Sequence, residues 1–387
     1  MNAGDLFEGL ITPRLLLDAD RLDRNAARLR ARSDDLGVTL RPHLKTAKSL
    51  HVARIAAGSE SGPITVSTLA EAEYFAAAGW HDILYSTAIT PVKLARADRI
   101  QRQHGARLLL VLDNKGAAAA VGSASASLGA RFGVLLEIDC GEHRSGVEPA
   151  SEELVALAEV VEACFPHLEL MGVMTHAGHS YALNEPAQIR ALAEVERRAA
   201  VTSAESLLAR GHSCPIVSVG STPTVVFAEH LRGVTEVRAG IYLFWDLSQL
   251  SRGVCAEEDI AISVLATVIG HQRRDQSLIL DAGALALSKD TGAHRFMPDA
   301  GYGWVCDVAT LKRFGSLSVS TVHQEHGTVP VPDESWFARL PIGSRVRILP
   351  NHACLTCAAY SSYDVLRAGP PPSTTHLIEQ WPRVGGW

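Results

Sequence analysis

The chain has 387 residues, 47% of them hydrophobic and 20% charged, with a net charge of -6. A chain this long and apolar can bury a large core and is expected to form two domains. An acidic balance with no Lys/Arg run argues against nucleic acid or an anionic membrane as partner. Residues 1–12 carry no basic region followed by an apolar run, and no later apolar stretch approaches a membrane-spanning length. The 7 cysteines are odd in number and scattered, which does not read as a disulfide framework. A cytoplasmic protein that handles small molecules is expected.

In chain order, Thr12–Asp18 is a strand-like run, followed by the helical pattern Leu22, Ala26, Ala27, Leu29. A regular alternation then sets in. Strand-like runs recur at 38–45, 64–69, 82–87, 107–113, 132–139, 168–176, 216–221 and 236–242, with helix-compatible segments at 48–57, 71–78, 91–103, 152–164 and 186–210. Eight strands with intervening helices predict a closed parallel (β/α)8 barrel of the TIM type rather than an open doubly wound sheet. After Trp245 the texture changes: strand runs at 260–268, 277–281, 316–322 and 344–349 alternate with Gly/Pro/Asp-rich turns. This predicts a mainly β domain. The domains are expected to be 20–250 and, together, 1–19 and 251–387, with the opening strand paired into the second. Gly369-Pro370-Pro371-Pro372-Ser373 reads as a hairpin loop between two late strands.

Barrel enzymes place their chemistry at the C-terminal ends of the strands. Lys45, in Arg41-Pro42-His43-Leu44-Lys45-Thr46, is expected at such an end, just before a helix opening at Ala47 or Lys48. A lysine whose stem is buried there can lose its proton cheaply and form a Schiff base. A solvated Lys-x-x-Lys pair is the plainer alternative. Other strand ends bring polar groups to the same mouth. Arg144 follows Glu137-Ile138-Asp139 and can donate to a phenolate oxygen. His176, His179 and Tyr181 form a dense cluster after the sixth strand. Ser221 and Thr222 after the seventh, and Gly240 after the eighth, suit a phosphate, because hydroxyls and amide N–H groups can meet its oxygens. In the β domain, His352 and Cys354 would face one side of an extended segment and could clamp a borderline-soft cation such as zinc. A structural zinc site using Cys357, or a merely buried cysteine pair, stays open.

The stretches Arg41-Pro42-His43-x-Lys45-Thr46, Glu137-Ile138-Asp139, Thr175-His176-Ala177-Gly178, Val217-Ser218-Val219-Gly220-Ser221-Thr222-Pro223, Asp281-Ala282-Gly283, Glu325-His326-Gly327 and Pro350-Asn351-His352-Ala353-Cys354 together resemble the D-threonine aldolase and D-serine dehydratase family. These are alanine-racemase-like, fold type III enzymes that use pyridoxal 5'-phosphate (PLP). The resemblance runs through nearly the whole chain. It implies that Lys45 holds PLP, that Arg144 supports its phenolic oxygen, that Thr222, Gly240 and Ile241 bind its phosphate, and that Tyr181 lines the pocket. Ile241 stands where relatives often have Asn, so only its backbone N–H can serve. His352 and Cys354 would be the ligands of a divalent metal, zinc first, with manganese or magnesium as alternatives. A homodimer is implied too.

The implied reaction is lysis of a small D-3-hydroxy amino acid. His-x-Cys resembles the dehydratase branch, whereas the aldolases resemble His-x-Asp. Ala47 also stands where the family often has a second histidine, which removes a candidate base for retro-aldol cleavage. β-Elimination to a keto acid and ammonia is expected, with a hydroxyaspartate or D-serine as substrate. The alternatives are an aldolase, a racemase using Tyr302, Tyr360 or Tyr363 as second base, and a non-catalytic PLP-binding protein.

Overall fold

The computed structural model describes Phe7 and residues 9–369 and 374–387. They divide into two compact units, one of Ala26–Gly240 with Val384–Trp387, the other of the residues up to Asn25 with Ile241–Arg383. In chain order, β1 (Arg14–Asp18) runs into α1 (Ala19–Asp35). The division between units falls within α1.

The first unit is built on β2 (Thr39–Leu40), β3 (Pro63–Val66), β4 (Asp82–Ala88), β5 (Arg107–Leu112), β6 (Phe132–Ile138), β7 (Leu168–Thr175), β8 (Ile216–Val219) and β9 (Glu236–Val237). They pair in the order β2-β9-β8-β7-β6-β5-β4-β3, and every pair is parallel. A bridge from His43 to Thr65 closes the ring, with the Thr65 N–H donating to Pro42 O and the Leu44 N–H to Thr65 O, each at 2.9 Å. The predicted barrel is therefore present. Its helices are α2 (Leu50–Ala57), α3 (Leu69–Ala77), α4 (Pro91–His104), α5 (Lys115–Leu128), α6 (Glu152–Ala163), α7 (Pro186–Ala209) and α8 (Thr222–Phe227). Side-chain caps start α3 and α6, where Thr68 accepts from the Glu71 N–H and Ser151 from the Leu154 N–H. The Ala/Ser/Gly run of α5 shows no clear apolar stripe, and Asn114 starts that helix by accepting from the Ala117 N–H at 3.0 Å.

Register assigns one face of this sheet to the barrel interior, since parallel partners share a face. Val111 pairs with Leu135, Glu137 with Met174, Met174 with Ser218, and Ser218 with Glu236. The interior is accordingly apolar on one side, where Leu84, Leu109, Val111, Leu135 and Met174 pack together. On the other side it is ionic. Arg41, 2% exposed, donates through Nε to Glu236 at 2.9 Å and through Nη1 to Asp82 at 3.0 Å. Ser218 donates to Glu236 at 2.6 Å and accepts from Arg238, whose other Nη donates to the Thr175 carbonyl.

The second unit adds β10 (Ile262–Gln272), β11 (Ser277–Leu280), β12 (Gly303–Asp307), β13 (Arg313–Ser318), β14 (Thr321–Val322), β15 (Gly327–Pro330), β16 (Arg345–Pro350), β17 (Ser362–Gly369) and β18 (Thr374–Pro382). Its short helices are α9 (Leu247–Leu250), α10 (Ala284–Leu287), α11 (Ser335–Arg339) and α12 (Ala353–Ala358). The main sheet runs β13-β12-β16-β10-β1-β17-β18. As expected, the opening strand pairs here, antiparallel to β10 and parallel to β17. The run at 316–322 is split between β13 and β14, with Ser320 between them donating its N–H to Thr328 O at 2.9 Å. β17 and β18 pair antiparallel up to Gly369 and Thr374. The expected loop residues 370–373 lie outside the described residues. Among the described residues no helix is long and apolar enough to cross a membrane.

Removing Arg41 would strand Glu236 in the interior without its cation. Arg41→Ala is expected to lower the unfolding free energy in urea by ~3–5 kcal/mol, the usual cost of breaking a buried ion pair. Arg102→Ala, which breaks the exposed i,i+4 pair with Asp98, should cost no more than about 0.5 kcal/mol in the same titration.

Candidate active site

Lys45 does not sit on a strand with a buried stem, as the sequence suggested. β2 ends at Leu40, Pro42 has no N–H to continue the ladder, and Leu44–Ala47 form a turn closed by the Lys48 N–H on Leu44 O at 2.8 Å. Lys48 takes a left-handed φ of 49°, and the next helix opens only at Leu50, later than expected. Lys45 is exposed, and its amine has no ion-pair or hydrogen-bond partner among the described residues. Lys48 instead pairs with the buried Glu71 at 3.2 Å. The turn is fixed from below, where the His43 N–H donates to Ala239 O at 2.8 Å. Gly240 is required there, because a Cβ would lie 2.5 Å from the His43 carbonyl oxygen.

Two histidines face this lysine, and both are held neutral. Ser86 donates its hydroxyl proton to Val66 O at 3.1 Å and so accepts from His43 Nε2 at 3.2 Å. His176 donates from Nδ1 to Gly220 O at 2.6 Å, which leaves Nε2 with its lone pair. Burial, then the charges of Lys45 and Arg238, push His43 well below the usual imidazole range. Burial and Lys45 pull His176 down to about 3, against the opposing pull of the Gly220 carbonyl.

The loop after β6 carries Arg144. Val147 returns to the strand end, donating to Glu137 O and accepting from the Asp139 N–H, each at 2.9 Å. Asp139 accepts from the Gly141 and His143 N–H groups at 2.8 and 3.0 Å. Arg144 is exposed and stands 3.5 Å from Glu142. Glu142 in turn accepts from the Gly178 N–H at 3.2 Å, at the start of the 3-10 turn Gly178–Ala182 that carries Tyr181.

At the ends of β8 and β9, Ser221 and Thr222 part company. Ser221 caps α8: its Oγ accepts from the Thr224 N–H at 3.4 Å and touches Ser180 Oγ at 2.9 Å, while its N–H donates to Thr224 Oγ1 at 3.1 Å. Thr222 Oγ1 is buried and has no partner among the described residues. An orphaned hydroxyl at a helix start suits a phosphate oxygen, so this unit fits PLP. Behind it lies Glu196 of α7, which no sequence motif pointed to. It accepts from the Ala177 N–H at 2.8 Å, the Gly220 N–H at 3.2 Å and Thr224 Oγ1 at 2.6 Å, tying together the loops after β7 and β8.

Gly240, Thr222, Ser221, Tyr181, Arg144 and Lys45 thus belong to the barrel unit, and Ile241, His352 and Cys354 to the other. Ile241 opens the 3-10 turn Ile241–Leu243 and is 7% exposed. His352 and Cys354 are not on an extended segment, which corrects the sequence reading. His352 is the extended N-cap residue of α12 and Cys354 lies in its first turn. The two side chains nevertheless meet: burial opposes protonation of His352, but Asp290 and Cys354 hold its imidazole up at about 11. Groups that attract a proton this strongly also suit a cation, and two donors of N/S type fit a metal that keeps open positions for substrate. Among the described residues no group of three or more His, Cys, Asp or Glu side chains that could hold a metal gathers at one point. Cys357 is fully buried with its thiol pushed up to about 12. Tyr360 donates to Ala286 O at 3.1 Å and Tyr363 accepts from Arg383 at 2.8 Å, with both phenols pushed up by burial. Neither suits the second base of a racemase.

A histidine depressed in the folded state favours unfolding wherever the unfolded chain takes up its proton. The stabilising contribution of His176 is complete above its unfolded value near 6.5 and is lost as pH falls toward about 3. Moving the metal-free, cofactor-free protein from pH 7.5 to 5 should lower the urea midpoint, and His176→Gln should make that fall shallower.

Residues 17–248 match the model of the alanine racemase N-terminal domain, and residues 261–366 that of a serine dehydratase domain. The chain is 46% identical to D-threo-3-hydroxyaspartate dehydratase of Delftia sp. (strain HT23), over 99% of this chain and 100% of that protein. The solved structure of that enzyme superposes with a TM-score of 0.91, covering 98% of this chain and 99% of that one. A Cys-to-Ala variant of it has been solved in a metal-free form. An alanine racemase-like protein from Idiomarina loihiensis is 39% identical, with a TM-score of 0.93 and full coverage of both chains at 100%. D-serine dehydratase of Dictyostelium discoideum is 31% identical over 94% of this chain and 95% of its own. The chain therefore belongs to the alanine racemase-like family, in the branch that holds the D-serine and D-threo-3-hydroxyaspartate dehydratases.

Proposed function

We propose that this chain is a PLP- and divalent-metal-dependent ammonia-lyase acting on D-3-hydroxy amino acids, with D-threo-3-hydroxyaspartate as substrate and oxaloacetate and ammonia as products. The observation that carries this reading is the His352–Cys354 pair, backed by Asp290, in a chain that resembles that dehydratase from end to end. When bound, PLP supplies an electron sink for the α-carbanion, and the cation supplies a Lewis acid for the departing β-hydroxyl.

The chain's own residues divide the work. Lys45 would hold the cofactor through Nζ, and the same amine would take the α-proton at that atom. Arg144 donates to the phenolic oxygen, Tyr181 lines the pocket, and Thr222 with the backbone N–H groups of Gly240 and Ile241 holds the phosphate. Ser221 contributes by capping the helix whose start meets that phosphate. His43 and His176, both held neutral, face Lys45 without adding a charge to it. His352 Nε2 and Cys354 Sγ hold the metal. The protein works as a cytoplasmic homodimer. A D-serine dehydratase is the second reading, since the second carboxylate of a hydroxyaspartate needs a cationic partner that D-serine does not.

The purified protein should absorb as a protonated Schiff base, and Lys45→Ala should abolish that band. D-threo-3-hydroxyaspartate should give oxaloacetate and ammonia, with loss in EDTA and recovery on adding zinc. Glyoxylate and glycine would make it an aldolase, and a higher kcat/KM on D-serine would favour the second reading. Cys354→Ala should keep the PLP band while lowering turnover at least about a hundredfold, through loss of the Lewis acid.

A further inference from the structure

The turn after α10 is tied to the segment before α12 by more bonds than a surface loop needs. Asp290 is its centre. One carboxylate oxygen, Oδ1, accepts from the Gly292 N–H at 2.6 Å, while the other, Oδ2, lies 2.9 Å from His352 Nδ1. Gly292 O accepts from the buried Arg252 at 2.9 Å, and the next N–H, of Ala293, donates to the side chain of fully buried Asn351 at 2.8 Å. The far end of the same segment is fixed as well, because buried Asp246 accepts from the Ala353 N–H at 2.9 Å. His352 is thus held on both flanks, and its ring is held by a carboxylate that has no freedom to turn.

A carboxylate only accepts, so the proton of this contact lies on Nδ1, and Nε2 is the nitrogen left to bind a metal. We propose that Asp290 is the positioning residue of the cation site: it fixes the Nδ1–H tautomer of His352, aims Nε2, and makes the imidazole a stronger donor. This rests on the reading that His352 and Cys354 hold the metal. Carboxylate partners of this kind typically contribute ten- to a hundredfold in metal affinity. The local charge also balances, since the Cys354 thiolate and Asp290 together offset one divalent ion.

The test is a Co²⁺ titration of PLP-loaded, metal-stripped enzyme in competition with a chromogenic chelator, comparing wild type, Asp290→Asn and Cys354→Ala. Asn keeps an acceptor for the Gly292 N–H but loses the charge. Asp290→Asn is expected to bind Co²⁺ about 10–100-fold more weakly, with thiolate-to-cobalt absorption retained, shifted d–d bands, and an unchanged PLP spectrum and metal-free melting temperature. Affinity within about twofold of wild type would overturn the assignment, since an orienting carboxylate contributes more than that. So would a loss of affinity that comes with a lowered metal-free melting temperature, which marks a merely structural role. Co²⁺ binding equal in wild type and Cys354→Ala would refute the metal reading itself, and no binding to wild type would remove both.

Discussion

Arg41 and Arg238 are two guanidiniums inside a closed barrel, and the interior has to answer their charge. Neither can shed its proton, so each needs carboxylates that are themselves buried. Glu236 meets Arg41 directly and Arg238 through the Ser218 hydroxyl. Burial pulls Arg238 down, while Glu236, Glu196 and Glu137 oppose it. Arg238 in turn opposes the upward push that burial gives Glu137 and Glu196. This mutual dependence fixes the ends of β2, β6, β8 and β9, the positions from which the site is built. The rest of the barrel is free to be apolar.

The field of that network reaches the mouth. Glu137 and Glu196 are both raised by burial yet remain hydrogen-bonded, Glu137 to Ser145 and Glu196 to two loop amides and a threonine. On the mouth side His43 and His176 stay neutral first because burial disfavours the imidazolium, and then because a further charge beside Lys45 and Arg238 is unfavourable. A site that handles amines and anionic cofactors gains from this arrangement. Positive charge is kept on the groups that need it, and the imidazoles keep a lone pair available.

The alternation of eight strand runs with amphipathic segments made the barrel legible, and glycine- and hydroxyl-rich strand ends suggested where a phosphate would sit. Boundaries were less so. Pro42 stopped the pairing of β2 that an apolar run alone suggested would continue, and the left-handed Lys48 delayed α2, so Lys45 moved from strand to turn. His352 and Cys354 read as extended, because a two-residue spacing does not reveal that one is a cap and the other helical. Glu196 and Asp290 were invisible for another reason. Each acts by accepting from groups distant in sequence, and a lone acidic residue on a helix or in a turn carries no local signal of such partners. Arg238 carried no such signal either, since its role depends on register between neighbouring strands.

The placement of β1 has a consequence for how the molecule is made. Arg14–Asp18 is synthesised long before its partners, which are β10, near residue 262, and β17, near residue 364. The strand must wait for both, whereas β3 to β9 each pair with the strand next to them in sequence. Closing such a long loop is slow, and an unpaired strand is adhesive while it waits. Arg14 and Asp18 give that early segment charged ends. The barrel can mature on the ribosome in the meantime, and the second unit is completed only when the carboxyl-terminal strands arrive.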